Sequence, residues 1–183
     1  MNTPLLSAFS EGLANAGYPV MRFNFLYSEL GKKTPDRPEI LVKTWLSAYS
    51  YFKETMGNEI NFIIGAGKSM GGRIASQMVA DNILPVSKLI FLGYPLHPAQ
   101  NTQKLRDSHL YSIKIPMLFF AGTRDPLCNL DTLNAVLKKI EAPWDLHIIE
   151  GGDHSFHVPK SMEETDRNIY EKIIKNTIDW CSR

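Results

Sequence analysis

Residues 63–73, Ile-Ile-Gly-Ala-Gly-Lys-Ser-Met-Gly-Gly-Arg, decide the predicted fold of this chain. The apolar start predicts a buried strand, and the stretch from Met70 onward predicts a helix. Ser69 lies between them in the spacing Gly67-x-Ser69-x-Gly71, which is typical of a sharp strand-to-helix turn that exposes a serine hydroxyl. Glycine is expected there because the turn strains the serine backbone and leaves no room for neighbouring Cβ atoms. The segment therefore predicts a nucleophilic serine at a helix N-terminus.

The same residues permit a second interpretation, because Gly67-Lys68-Ser69 also resembles the end of a phosphate-binding P-loop. That motif requires a glycine five residues before Gly67, where this chain has Phe62. The next apolar segment, 88–93, also lacks an aspartate that would help to hold magnesium. A P-loop nucleotide binder is thus the weakest hypothesis, and a chance glycine-serine turn is the alternative without a function.

The composition predicts one globular domain over residues 1–183. Hydrophobic residues make up 44% of the chain and charged residues 21%, and the formal net charge is +1. This balance favours neither nucleic acid nor a membrane as a partner. Cys128 and Cys181 match no disulfide or metal-site spacing, so we expect free thiols in a cytoplasmic protein. Neither a transmembrane segment nor a signal peptide is indicated by the sequence.

Apolar runs alternate with helical patterns along the chain. Strands are predicted at 19–25, 60–66, 88–94, 116–122 and 145–150. Helices are predicted at 6–16, 41–52, 70–79, 133–140 and 163–180. Because most of the predicted strands are continuously apolar, this order predicts the α/β class, as a three-layer α/β/α sandwich with a mainly parallel sheet. Ligands of such sheets bind beyond the carboxyl ends of the strands.

Two polar residues follow later strands at that same edge. Asp125 lies in 122–126, Gly-Thr-Arg-Asp-Pro, and His154 lies in 152–156, Gly-Asp-His-Ser-Phe. A serine hydroxyl needs a neighbouring base to attack a carbonyl, and His154 is expected to be that base. Asp125 is expected to orient the imidazole, and the Met70 N–H to bind the developing oxyanion. The order Ser69, Asp125, His154 is that of α/β-hydrolases, and no metal or organic cofactor is implied.

Other histidine and aspartate residues nearby in the sequence are alternative candidates for the base and the acid. His157 is the rival base, and Asp153 and Asp131 are the rival acids. Asp131 is instead expected to cap the helix that follows it, and Asp153 is adjacent to the base rather than across from it.

Other polar residues have a plainer interpretation. His97 and His109 are expected to be ordinary loop histidines. Lys68 and Arg73 flank the turn, where they either attract an anionic substrate or are solvated surface charges.

The motifs around Ser69, Asp125 and His154 resemble those of small, lidless α/β-hydrolases related to dienelactone hydrolases. The chain is also similar, at 22–25 and 35–38 as well, to one branch of these proteins. That branch contains uncharacterised bacterial hydrolases, a testis-expressed mammalian protein and a subunit of a histone-acetyltransferase complex. The resemblance implies the fold and the three site residues, but no substrate.

One departure from the family concerns the N-terminus. In the family, a first strand and a loop beginning with His-Gly precede the region that matches residues 1–6, and this loop supplies a second oxyanion-hole N–H. We therefore expect an N-terminally shortened chain that lacks a strand between 20–25 and 60–66, or a sheet in which these two strands pair directly. An edge exposed in this way would favour a homodimer.

These observations favour a serine hydrolase that cleaves a carboxylic ester or a related acyl bond of a small molecule. Only residues 96–115 separate two strands where larger relatives insert a cap, so the site is expected to be open. The alternative is a catalytically inactive hydrolase-like module that acts through protein–protein contacts.

Overall fold

The computed structural model describes residues 2–183, and the chain forms two compact units, Met1–Phe62 and Ile63–Arg183. The single domain expected from the sequence stays a prediction. Within the described residues, no helix is both long enough and apolar enough to cross a membrane.

The first unit is helical. Its elements are α1 (Pro4–Asn15), α2 (Leu26–Glu29), α3 (Pro38–Met56) and a 3-10 turn (Gly57–Glu59). The Thr3 hydroxyl caps α1 by accepting a hydrogen bond from the Leu6 N–H at 3.4 Å. The helix ends before Gly17, whose φ of +88° suits glycine and ends the helix as predicted. Side chains of α1 and α3, among them Phe9 and Trp45, are buried.

The strand predicted at 19–25 is wrong, because this described segment pairs with no strand. Its side chains contact helices of the first unit instead. The Arg22 guanidinium donates to the Ser7 hydroxyl of α1 at 2.9 Å. The Phe23 ring packs edge-on against Trp45 of α3, with the ring centroids 4.8 Å apart. The apolar run therefore reflects packing on helices rather than burial between the two faces of a sheet.

The second unit contains a four-stranded parallel sheet. Its strands are β1 (Ile64–Lys68), β2 (Lys88–Leu92), β3 (Met117–Gly122) and β4 (Trp144–Ile149), in the order β1-β2-β3-β4. The parallel sheet is confirmed, and the strand predicted at 60–66 is shifted toward the C-terminus. Gly67 and Lys68 belong to β1 because they pair with Phe91 and Leu92.

Helices cover both faces of this sheet. They are α4 (Met70–Ala80), α5 (Leu130–Leu137) and α6 (Asp166–Cys181), with a 3-10 turn at Ser108–Ser112. Phe91 and Leu92 are neighbours in β2, so their side chains point to opposite faces. Phe91 lies under Gly72 of α4. Leu92 is in register, through β3, with His147, whose ring contacts Asn176 of α6. Within the second unit, α4 and α6 therefore lie on opposite sides of the sheet, which makes three layers.

Candidate active site

Ser69 forms a one-residue turn between β1 and α4. Its φ of 52° and ψ of −122° are unusual for a residue that has a Cβ. The Ser69 N–H donates to the Leu92 carbonyl at 3.2 Å, which ties the turn to the end of β2. Such a conformation costs about 1–3 kcal/mol and persists only where the surrounding structure enforces it. A turn of one residue also leaves no loop to surround a phosphate, which argues against the P-loop interpretation.

The strained turn depends on two glycines that touch each other. A Cβ on Gly67 would lie 2.2 Å from the Gly72 nitrogen, and a Cβ on Gly72 would lie 2.8 Å from the Gly67 oxygen. Neither position can accept a side chain without moving the backbone. The sequence motif identified Gly67 but missed the role of Gly72, and the doubled glycine after Met70 was the available signal.

Ser69, His154 and Asp125 form one continuous hydrogen-bonded chain. The Ser69 Oγ lies 2.8 Å from His154 Nε2, and His154 Nδ1 lies 2.8 Å from Asp125 Oδ2. The Asp125 side chain is fully buried, whereas the imidazole is 19% exposed. Because an ionised carboxylate only accepts hydrogen bonds, Nδ1 has the proton and Nε2 is left to accept from the serine hydroxyl. The three residues predicted from the sequence are therefore brought together.

Close backbone contacts hold the loops that present Asp125 and His154. The second carboxylate oxygen of Asp125 accepts from the Leu127 N–H at 2.8 Å. A Cβ on Gly122 would lie 2.2 Å from the Gly152 oxygen, and one on Gly93 would lie 2.9 Å from the His154 oxygen. Glycines at the ends of β2 and β3 therefore let the histidine loop approach the sheet edge.

Met70 is the first residue of α4 and directly follows Ser69. The first N–H groups of a helix have no partner inside it, and they form its positive end. The Met70 N–H therefore lies at the helix start next to Ser69, and its role as an oxyanion donor stays a prediction.

The rival base and the rival acid next to His154 have other partners. His157 Nδ1 lies 2.5 Å from Asp166 Oδ2, at the start of α6. Asp153 Oδ1 accepts from the N–H groups of Ser155 and His157. Partial burial opposes ionisation of Asp153, but these two N–H groups, with the charges of His157 and Lys68, hold its pKa below the ordinary value.

Two expectations about polar loop residues are corrected. The cap of α5 is Asn129, whose side chain accepts from the Thr132 N–H at 2.9 Å, and Asp131 lies within the first turn. His97 is buried rather than an ordinary loop histidine. Its Nε2 accepts from the Asn129 N–H at 3.1 Å and its Nδ1 donates to the Pro98 carbonyl at 3.1 Å. This neutral ring therefore joins the segment after β2 to the start of α5.

His109 is also part of a buried polar cluster that sequence reasoning missed. Its Nε2 lies 2.9 Å from the Ser76 hydroxyl and 3.2 Å from the Tyr94 hydroxyl. Both hydroxyls donate elsewhere, to the carbonyls of Arg73 and Arg106, so the imidazole Nε2–H is the donor to both. Burial, aided by the charge of Arg73, lowers the pKa of His109 to about 4. The one signal in the sequence was Ser76, a polar residue inside the apolar pattern of α4.

Two further ionisable groups lie near the site. Burial lowers the pKa of Lys68, and the charges of Asp125 and Asp153 oppose this shift. Burial and the charge of Asp125 raise the pKa of the Cys128 thiol to about 12. Because a thiol must ionise to react, Cys128 is a poor nucleophile and does not compete with Ser69 in this role.

Solved structures of other proteins share this architecture. An alpha-beta serine hydrolase homologue from Coxiella burnetii superposes with a TM-score of 0.75 at 20% identity, covering 96% of this chain and 77% of that chain. A dienelactone hydrolase from Anabaena variabilis gives 0.73 at 19% identity, covering 98% and 78%. A lidless α/β serine hydrolase from Xanthomonas campestris gives 0.72 at 16% identity, covering 98% and 75%. At these identities the likeness shows the fold, and the predicted fold class is confirmed.

The family comparison covers almost the whole chain. The family described as "Alpha/beta hydrolase domain" matches residues 1–182. The strand–turn–helix unit at Ser69 and the parallel sheet agree with this match. The chain therefore belongs to the alpha/beta hydrolase domain family.

Proposed function

We propose that this protein is a serine hydrolase that cleaves a carboxylic ester, or a related acyl bond, of a small molecule through an acyl-enzyme. The continuous hydrogen-bonded chain from Ser69 through His154 to Asp125 is the main support, with both links at 2.8 Å. Acyl transfer requires a nucleophile hydrogen-bonded to a base, and a base hydrogen-bonded to the group that orients it, and these three residues have both contacts.

Acylation follows from the proton positions. The Ser69 oxygen attacks the substrate carbonyl while its proton moves to His154 Nε2, and the Asp125 carboxylate stabilises the imidazolium that forms. The carbonyl oxygen becomes an oxyanion next to the Met70 N–H, at the positive end of α4. Collapse of this intermediate breaks the bond to the leaving group, which takes the proton from Nε2.

Deacylation repeats these steps with water. His154 removes a proton from the water that attacks the acyl-serine, and it returns this proton to the Ser69 oxygen as the acid product leaves. No other group has to change its protonation state. The reaction therefore uses only residues of this chain and one water molecule.

The region between β2 and β3 favours a small substrate. Residues 93–116 lie within the described chain and contain no regular element except the 3-10 turn Ser108–Ser112. Leu96, Leu110 and Ile113 of this segment are buried in the second unit, so they are not arranged as a mobile cover. A site that this segment does not cover with a cap suits a short or flexible ester better than a long lipid chain.

The named neighbours agree with this proposal. The Xanthomonas protein is described as a serine hydrolase, the Coxiella protein as a serine hydrolase homologue and the Anabaena protein as a dienelactone hydrolase. The narrower sequence resemblance, to the branch with a testis-expressed protein and a histone-acetyltransferase-complex subunit, favours a second candidate function. In that case the chain is an inactive module that binds a protein partner.

Fluorophosphonate labelling of the purified chain, measured by intact mass, separates the two candidates. We expect one adduct, which is lost in Ser69→Ala and retained in the matched control Ser108→Ala, since Ser108 is an exposed serine far along the chain. Absence of the adduct from a protein with a native circular dichroism spectrum would contradict the hydrolase proposal and favour the binding module.

A further inference from the structure

Asp125 is presented by a loop without regular secondary structure, which we call the acid loop (residues 125–129). It lies between β3 and α5. Within it, the Asp125 carbonyl accepts from the Cys128 N–H at 3.3 Å, and Asp125 Oδ1 accepts from the Leu127 N–H at 2.8 Å. A short loop outside the sheet is more mobile than the strands beside it, so its position depends on the contacts that hold it from outside.

His97, in the segment after β2, makes hydrogen bonds with this loop through both its backbone and its ring. Its N–H donates to the Leu127 carbonyl at 3.1 Å, and its ring Nε2 accepts from the Asn129 N–H at 3.1 Å. Because the Pro98 carbonyl can only accept, the ring proton is on Nδ1, and Nε2 is left free to accept. His97 is 2% exposed, so this ring, rather than water, satisfies the Asn129 N–H.

Leu127 connects His97 to the carboxylate of Asp125. The Leu127 carbonyl accepts from His97, and the Leu127 N–H donates to Asp125 Oδ1. The other oxygen of this carboxylate, Oδ2, lies 2.8 Å from His154 Nδ1. A path of hydrogen bonds therefore runs from His97 through the acid loop to the imidazole, and a shift of the loop would change the distance between Asp125 and His154.

We infer that His97 is a positioning residue for Asp125. Its backbone and its ring hold the acid loop at Leu127 and Asn129, which keeps the carboxylate within hydrogen-bond distance of His154. This inference rests on the proposed function, because the contact of Asp125 with His154 serves the acyl transfer at the serine. Misplacement of a reacting group by about 1 Å can cost about a hundredfold in rate, so a residue that touches no reacting atom can still control the rate.

The first test separates the acceptor Nε2 from the rest of the His97 side chain. In His97→Gln an amide oxygen can reach the place of Nε2, whereas in His97→Asn the shorter amide keeps only a donor near the place of Nδ1. We expect His97→Asn to slow fluorophosphonate labelling of Ser69 by about 10- to 100-fold, and His97→Gln to keep most of the rate. Thr177→Val removes another buried polar group, in α6, and should leave the rate unchanged. Equal rates in His97→Asn and His97→Gln would overturn the role of the ring.

The second test does not depend on catalysis. The proton NMR signal of the His154 Nδ1–H, which the hydrogen bond to Asp125 moves downfield, reports the position of the carboxylate. We expect this signal to weaken in His97→Asn and to persist in His97→Gln and Thr177→Val. A signal that depends on His97 in this way, in a chain that fluorophosphonate does not label, would reject the proposed function but keep the role of His97.

Two other results would overturn the role of His97. Normal labelling with an unchanged signal in His97→Asn would reject this role and leave the proposed function intact. An equal loss of signal in Thr177→Val would mean that the effect is a general loss of stability rather than a displacement of Asp125.

Discussion

At the scale of single residues, Asp125 decides which nitrogen of His154 has the proton. Its two oxygens accept from His154 Nδ1–H and from the Leu127 N–H, and its side chain is completely buried. In the proposed mechanism, the charge of this carboxylate holds the imidazole with an unprotonated Nε2 toward Ser69.

Asp125→Asn tests this role with little change of shape. The amide oxygen can still accept from the Leu127 N–H, but the amide nitrogen then faces Nδ1 and favours the wrong tautomer. We expect the rate of fluorophosphonate labelling to fall by roughly 10³–10⁴ while the melting temperature changes little. The rate is measured by intact mass over time, with Asp131→Asn as a control of equal charge. A labelling rate close to that of the unmodified chain would contradict the assigned role.

His109 gives the second prediction at this scale, which concerns pH. Burial and the charge of Arg73 lower its pKa to about 4, whereas Asp107 and Asp81 oppose the shift. In the unfolded chain the pKa is about 6.5. Between these values the unfolded chain binds a proton that the folded chain does not, so the free energy of unfolding falls as the pH drops from about 6.5 to about 4.

His109→Gln should flatten this part of the stability profile. The amide can still donate to the Ser76 and Tyr94 hydroxyls but does not titrate. We expect the stability lost between pH 7 and pH 4.5 to be smaller in the variant by about 1–2 kcal/mol, because the ring is only partly buried. Urea unfolding at the two pH values measures the difference, and identical losses in both proteins would contradict the prediction.

At the scale of elements, the turn from β1 to α4 depends on the contact of Gly67 with Gly72. Gly67→Ala would place a Cβ 2.2 Å from the Gly72 nitrogen, where only a backbone shift gives room. We expect a loss of at least about 3 kcal/mol in the free energy of unfolding, together with slower labelling of Ser69. Gly65→Ala is the matched control in the same strand, because its Cβ would lie 3.1 Å from a flexible Leu89 methyl group. Equal losses in the two variants would argue against a special role for this contact.

The C-terminal end of α6 is held by one lysine of β2. Lys88 Nζ donates to the carbonyls of Trp180 and Cys181, at 3.3 and 3.4 Å, and lies 4.8 Å from the centroid of the Trp180 ring. Lys88→Met should cost about 1–2 kcal/mol and speed amide hydrogen exchange in the last turn of α6. The exposed Lys175 of the same helix gives the control Lys175→Met, for which we expect a loss below about 0.5 kcal/mol. Exchange rates that stay the same at the helix end would refute the role of Lys88.

The sequence predicts some elements better than others, because some depend on residues close together in the chain and others on residues far apart in it. Ser69, Asp125 and His154 could be predicted because each follows a strand and lies beside glycines, which mark the point where the chain must turn. The cluster of His109 with Ser76 joins residues 33 positions apart, so the polar Ser76 inside the apolar pattern of α4 indicates a buried polar contact but not its partner. The apolar run at 19–25 was misassigned because burial against a helix and burial in a sheet select the same side chains.

At the scale of the whole molecule, the predicted single domain has a consequence for how the chain unfolds. A chain of 183 residues that forms one domain should unfold in one cooperative transition, although its contacts cluster into the units Met1–Phe62 and Ile63–Arg183. Differential scanning calorimetry should then show one peak whose calorimetric and van't Hoff enthalpies agree. Two separable peaks would mean that the helical first unit and the sheet-containing second unit are independent domains.

The spacing of the three site residues along the chain has a consequence for synthesis. His154 follows Ser69 by 85 positions and Asp125 by 29, so the base is the last of the three to leave the ribosome. Until then the serine is an ordinary alcohol in a growing polypeptide, unable to acylate itself from the activated esters of the cell. In the proposed mechanism, Ser69 therefore becomes reactive only after His154 has been synthesised and has folded into place, and a product that terminates before His154 is unreactive at Ser69.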